Sequence, residues 1–120
     1  MKLPVLFSYA GHYEKNAPVP MHSHRGVELV YVSRGACVTI FGEGVALKAG
    51  CGTVYVTPPE LAHIQKNLTE DCETYYSVME MAGGKLDVSL RTIDASGDPL
   101  IGQWFRNLYE LNRTYDLEEA

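Results

Sequence analysis

Positive charge is scarce in this chain. Ten lysines and arginines stand against fifteen acidic residues, a net charge of −5 at pH 7. The basic residues are scattered singly, with no cluster and no stripe. Neutralising phosphates dominates nucleic-acid affinity, so this segment alone is not expected to bind DNA. Long apolar runs are missing too, and none approaches the roughly 18 residues that a membrane span requires. The opening stretch Met1-Lys2-Leu3-Pro4-Val5-Leu6-Phe7 is too short and too quickly polar for a signal peptide. Cysteine is sparse: Cys37, Cys51 and Cys72 are odd in number and form no Cys-x-x-Cys pair. That pattern reads as free thiols in a reducing compartment. The expected location is the cytoplasm, where the glycosylation-like triplets Asn67-Leu68-Thr69 and Asn112-Arg113-Thr114 carry no meaning.

What the chain does contain is short strand-like runs cut by turn formers. Its 120 residues are 46% hydrophobic, enough for one core and too few residues for two. Leu3 to Tyr9, Val27 to Val32, Ala36 to Phe41, Val45 to Leu47, Thr53 to Thr57, Ala62 to Lys66 and Thr74 to Met81 read as strands. Gly35, Gly42-Glu43-Gly44, Gly50, Gly52 and Pro58-Pro59 punctuate them. Short strands at near-regular spacing predict an all-β sandwich or barrel. The pattern changes at Asp98-Pro99, an N-cap followed by proline at the first helical position. Ile101, Trp104, Phe105, Leu108 and Leu111 then recur at helical spacing. The expected organisation is a barrel over residues 1–97 and an amphipathic helix over 98–115, with the abrupt end suggesting a longer parent chain.

His22-Ser23-His24 leads into Glu28 at the head of a strand. Residues two apart on a strand share a face, so His22, His24 and Glu28 would point together into the barrel. A buried carboxylate is costly unless paired or bound to a cation. His63, just beyond Pro58-Pro59, would close the site from another strand. Three imidazoles and one carboxylate suit a divalent transition metal such as Zn, Ni, Mn or Fe. By contrast His12, isolated in an apparent loop, reads as an ordinary polar residue. On the following strand, taking Glu80 as solvated places Tyr75, Ser77 and Met79 inward, a mixed polar and apolar wall for a small ligand.

Two spacings stand out. One is His22, His24, Glu28 and Gly35; the other is Gly52, Pro58, His63 and Asn67, with 16 residues between Gly35 and Gly52. Together they resemble the two motifs of the cupin superfamily, over about residues 20 to 80. The resemblance implies a small jelly-roll barrel, or double-stranded β-helix, with His22, His24, Glu28 and His63 as metal ligands. Two motif glycines are absent: Asn16 stands in one place and Glu60 in the other.

The barrel followed by a helix is similar to the N-terminal sensor domain of AraC-type transcription regulators. That resemblance implies a small-molecule effector such as a sugar, and a homodimer made through helical residues, here Trp104, Phe105 and Leu108. DNA would be bound only by a further domain absent from these residues. The rival expectation is a stand-alone metal-dependent cupin enzyme, a dioxygenase or sugar isomerase; a small storage or sensor cupin is a third. Beyond the tetrad only Glu60 and Glu80 offer themselves as general acid or base, which weighs against the enzyme.

Overall fold

The computed structural model describes residues 5–13, 19–23, 25–42, 44–81 and 88–115. Among the described residues nine strands precede one helix: β1 (Val5–Tyr13), β2 (Val19–His22), β3 (Val27–Arg34), β4 (Ala36–Phe41), β5 (Ala46–Gly50), β6 (Thr53–Thr57), β7 (His63–Asn67), β8 (Glu73–Met81), β9 (Arg91–Asp94) and α1 (Pro99–Tyr115). They form two antiparallel sheets, in the orders β1-β8-β3-β6-β9 and β2-β7-β4-β5. The expected all-β barrel with a C-terminal helix is the observed fold. Two strands, β2 and β9, are additions to the sequence reading. β2 contains Pro20, and all four residues of β9 are exposed, so neither shows apolar alternation.

The turns follow from backbone chemistry. Gly35, between β3 and β4, has φ 65°, and Gly52, between β5 and β6, has φ 88°. Both lie in the left-handed region that glycine alone enters without steric cost. Glu60 occupies one of the missing motif glycines and still adopts φ 64°. The turn keeps its geometry without the residue best suited to it.

Strand pairing sorts the side chains. Glu28, Val30 and Val32 of β3 stand opposite Val78, Tyr76 and Thr74 of β8, and these face the barrel interior. The alternate set, Val27, Leu29 and Tyr31, stands opposite Met79, Ser77 and Tyr75. This second face lies under α1. Phe105 is 2% exposed and stacks on Tyr31 at 5.6 Å between ring centroids. Gly102 lets the helix approach, since a Cβ there would lie 3.0 Å from the Tyr31 hydroxyl. Farther along, Asn112 is buried, and its Oδ1 accepts the Ala10 N–H at 3.1 Å, tying α1 to the β1 edge. At the start of α1, Asp98 Oδ1 accepts the Leu100 N–H at 3.0 Å, the anticipated cap.

Candidate ligand site in the barrel

His63 begins β7 and Glu28 lies near the start of β3, so the two come from different sheets. They are 2% and 6% exposed, and His63 Nε2 lies 3.1 Å from Glu28 Oε1. The other ring nitrogen, Nδ1, donates to the Leu61 carbonyl at 2.8 Å. That bond fixes the ring and directs Nε2 at the carboxylate. Phe41, opposite His63 in the β4–β7 register, packs on the imidazole at 5.8 Å between centroids. A buried carboxylate beside an imidazole held in this way needs either a proton or a metal cation between them.

A small hollow, about 10 Å³ by the space open to the centre of a water molecule, lies beside the pair and is lined by Tyr13, Glu28, Val30, His63, Gln65, Thr74 and Tyr76. Tyr13 and Tyr76 stack at 5.2 Å between centroids and form its aromatic side. Gln65 is oriented by the buried Tyr55, whose hydroxyl donates to Gln65 Oε1 at 2.6 Å. Burial pushes the Tyr55 phenol well above its ordinary value, with the nearby Cys37 and Glu28 adding to the effect. It therefore stays protonated and remains a donor. The Thr74 hydroxyl is buried on the cavity wall with no hydrogen-bond partner among the described residues. The lining holds donors, acceptors and one acid, and none of these seven residues is a lysine or arginine.

The sequence-derived residues separate as follows. Glu28 and His63 come together. β2 sets the His22 backbone directly across from His63. The side chain of His22 and the whole of His24 lie outside the described residues. Among the described residues no three His, Cys, Asp or Glu side chains converge as a metal-holding group. The Glu28–His63 pair nonetheless fits part of such a group. Two donors bound to one ion at roughly 2.1 Å stand about 3.0–3.4 Å apart, and the observed separation falls within that span.

The inward placement of Tyr75, Ser77 and Met79 is corrected by the register. These residues belong to the face under α1, and Thr74, Tyr76 and Val78 face inward instead. Tyr75 contacts the helix, with its ring 5.9 Å from that of Tyr109 and the Arg106 guanidinium 5.9 Å from its centroid. The premise that Glu80 sets the solvent face fails: Glu80 shares the phase of Val78 at the strand's end, half-exposed, with Arg25 at 4.0 Å. His12 is in β1 rather than a loop. It meets Glu73 Oε2 at 3.0 Å and stacks on Tyr75 at 4.4 Å. Among the helical residues, Phe105 is buried against the sheet, Leu108 is half-buried and Trp104 is 42% exposed. Tyr13, Gln65, Thr74 and Tyr76 were missed. For Thr74 and Tyr76 the inward phase follows from the register of β8 against β3, with Val78 opposite Glu28, which alternation within β8 does not reveal.

No curated protein matches the chain in sequence at a significant level. Among solved structures, a protein from E. coli is 15% identical with a TM-score of 0.57, covering 76% of this chain and 97% of that chain. A Neisseria meningitidis protein is 16% identical with a TM-score of 0.49, covering 61% and 72%. An oxalate decarboxylase variant of Bacillus subtilis is 19% identical with a TM-score of 0.46, covering 62% of this chain and 19% of that one. The likeness to the E. coli structure is one of fold. The family model described as Cupin matches residues 4–112, nearly the whole length. The two-sheet barrel, the spaced motif residues and this match agree: the chain belongs to the cupin family.

Proposed function

We propose that this domain senses a small molecule in the barrel, in the manner of the N-terminal domains of AraC-type regulators, and that α1 carries the response to a second copy of the chain. The observation that carries the reading is the buried Glu28–His63 pair at 3.1 Å, at the wall of a cavity that also presents Gln65, Thr74, Tyr13 and Tyr76. Glu28 and His63, with His22 and His24 as further candidates, would hold a divalent metal. Such an ion supplies a Lewis-acidic centre to which an effector oxygen can bind. Gln65 and the Thr74 hydroxyl would then orient the effector, and the stacked tyrosines would exclude water from one side.

Two features favour a sensor over an enzyme. Apart from the pair itself, the lining includes no carboxylate or imidazole among the described residues to move a proton. The helix meanwhile leaves Leu100, Trp104 and Leu111 exposed at 72%, 42% and 48%, spaced along one side. An exposed apolar stripe of this kind suits a two-fold contact between copies. The alternative reading, a metal-dependent cupin enzyme, rests on the same Glu28–His63 pair, which would serve a reactive metal equally well. A thermal-shift screen of sugars, polyols and small acids, with and without added zinc, nickel or manganese, separates these readings. A sensor gains stability from its effector and returns it unchanged. Turnover of the added compound would establish the enzyme instead.

A further inference from the structure

We propose that Cys37 and Cys72 form a site of reversible oxidation, a latent disulfide joining the two sheets of the barrel. Cys37 lies in β4 of one sheet, and Cys72 immediately precedes β8 of the other. They are 0% and 2% exposed and belong to one core cluster with Val30, Val32, Ala49 and Tyr55. The backbone holds the two segments together independently of the sulfurs. Leu68 N–H donates to the Ala36 carbonyl at 2.9 Å, and Ala36 N–H donates to Thr69 Oγ1 at 3.0 Å. A Cβ on Gly35 would lie 3.0 Å from the Cys72 Cα. Across this junction the two cysteines pack into the same buried cluster. Two cysteines in one core cluster, on segments already joined by backbone hydrogen bonds, need little backbone movement to bond. Cys51 is exposed, with its thiol 3.3 Å from the Ser33 carbonyl, and serves as the internal comparison.

The oxidant is a low-molecular-weight disulfide such as oxidised glutathione. Cys72 loses its proton and its thiolate attacks one sulfur of the oxidant, expelling one thiolate and leaving a mixed disulfide. Cys37 then loses its proton and attacks the Cys72 sulfur, expelling the second thiolate. The two protons end on the two released thiols, so one disulfide is consumed and one is formed. Burial, with Cys72 beside it, pushes the Cys37 thiol up to about 12. Burial also raises Cys72, but the neighbouring Cys37 side chain offsets part of this. Cys72 is therefore the first nucleophile. In the folded protein the reaction waits on opening of the core.

The experiment refolds the full chain from urea in a mixture of reduced and oxidised glutathione, then alkylates free thiols and maps peptides by mass spectrometry. We expect a Cys37–Cys72 linkage with Cys51 alkylated, so that free thiols fall from three to one. The bond closes a loop of roughly 35 residues, so the oxidised form should melt at a higher temperature than the reduced one. Adding oxidised glutathione to the folded protein should give the same linkage more slowly than it modifies Cys51. Cys51→Ser should retain the linkage, and Cys37→Ser should abolish it. Three free thiols after oxidative refolding, a dominant linkage through Cys51, or an oxidised form that melts lower would each overturn the proposal.

Discussion

The ring of Tyr76 occupies the space that a side chain at Gly11 would need, so β1 and β8 pair closely only because position 11 has no Cβ. Gly11→Ala should therefore displace the ring and cost about 1–3 kcal/mol in denaturant unfolding, as overpacking does. Gly50→Ala, with nothing within 4 Å of its added Cβ, is the matched comparison and should stay within about 0.5 kcal/mol of wild type. Equal effects of the two would mean that the Tyr76 contact does not control the pairing.

Glu60 at φ 64° bears a steric cost that glycine would not. Glu60→Gly should raise stability by up to about 1 kcal/mol, the relief of the left-handed backbone less the entropy that glycine adds to the unfolded chain. A loss of stability in urea titration would show that the Glu60 side chain compensates through contacts of its own.

Tyr55→Phe should be costly although it removes a single oxygen. It strips the buried Gln65 carbonyl of its 2.6 Å donor, and an unsatisfied buried acceptor costs about 1–3 kcal/mol. Adding Gln65→Leu should recover part of that loss in chemical denaturation. Additive losses in the double variant would argue against direct coupling of the two side chains.

Much of this arrangement can be read from the sequence, and the exceptions share a cause. The motif spacing brought Glu28 and His63 to one site across two sheets, because a buried carboxylate in an apolar strand demands a partner. The helix start at Asp98-Pro99 is equally local chemistry. The phase of β8 was not legible: Tyr75 is covered by α1 and Tyr76 by the barrel, so both faces carry aromatic side chains and alternation gives no direction. The same covering helix makes Phe105 core while Trp104, one residue earlier, stays at the surface.

Acid should weaken the ties of β8 to its neighbours β1 and β3. Burial acts to raise the Glu73 carboxyl, but hydrogen bonds from Ser33 and His12, with the charges of His12 and Arg34, hold it below its ordinary value of 4.5. A lowered carboxyl stabilises the fold above its unfolded pKa, and that contribution is lost as pH falls through the folded one. Stability followed by thermal melts should thus fall as pH drops below about 4.5, and Glu73→Gln should flatten that part of the profile. An unchanged slope in the variant would exclude Glu73 as its source.

The proposed metal site depends on what Glu28 and His63 hold. The decisive measurement is calorimetric titration of untagged protein with zinc, nickel and manganese, for wild type, Glu28→Gln and His63→Ala, with circular dichroism to verify the fold. We expect one bound equivalent in wild type and at least tenfold weaker binding in each folded variant. Wild type that takes up no ion, or variants that bind as tightly as wild type, would contradict the proposed site.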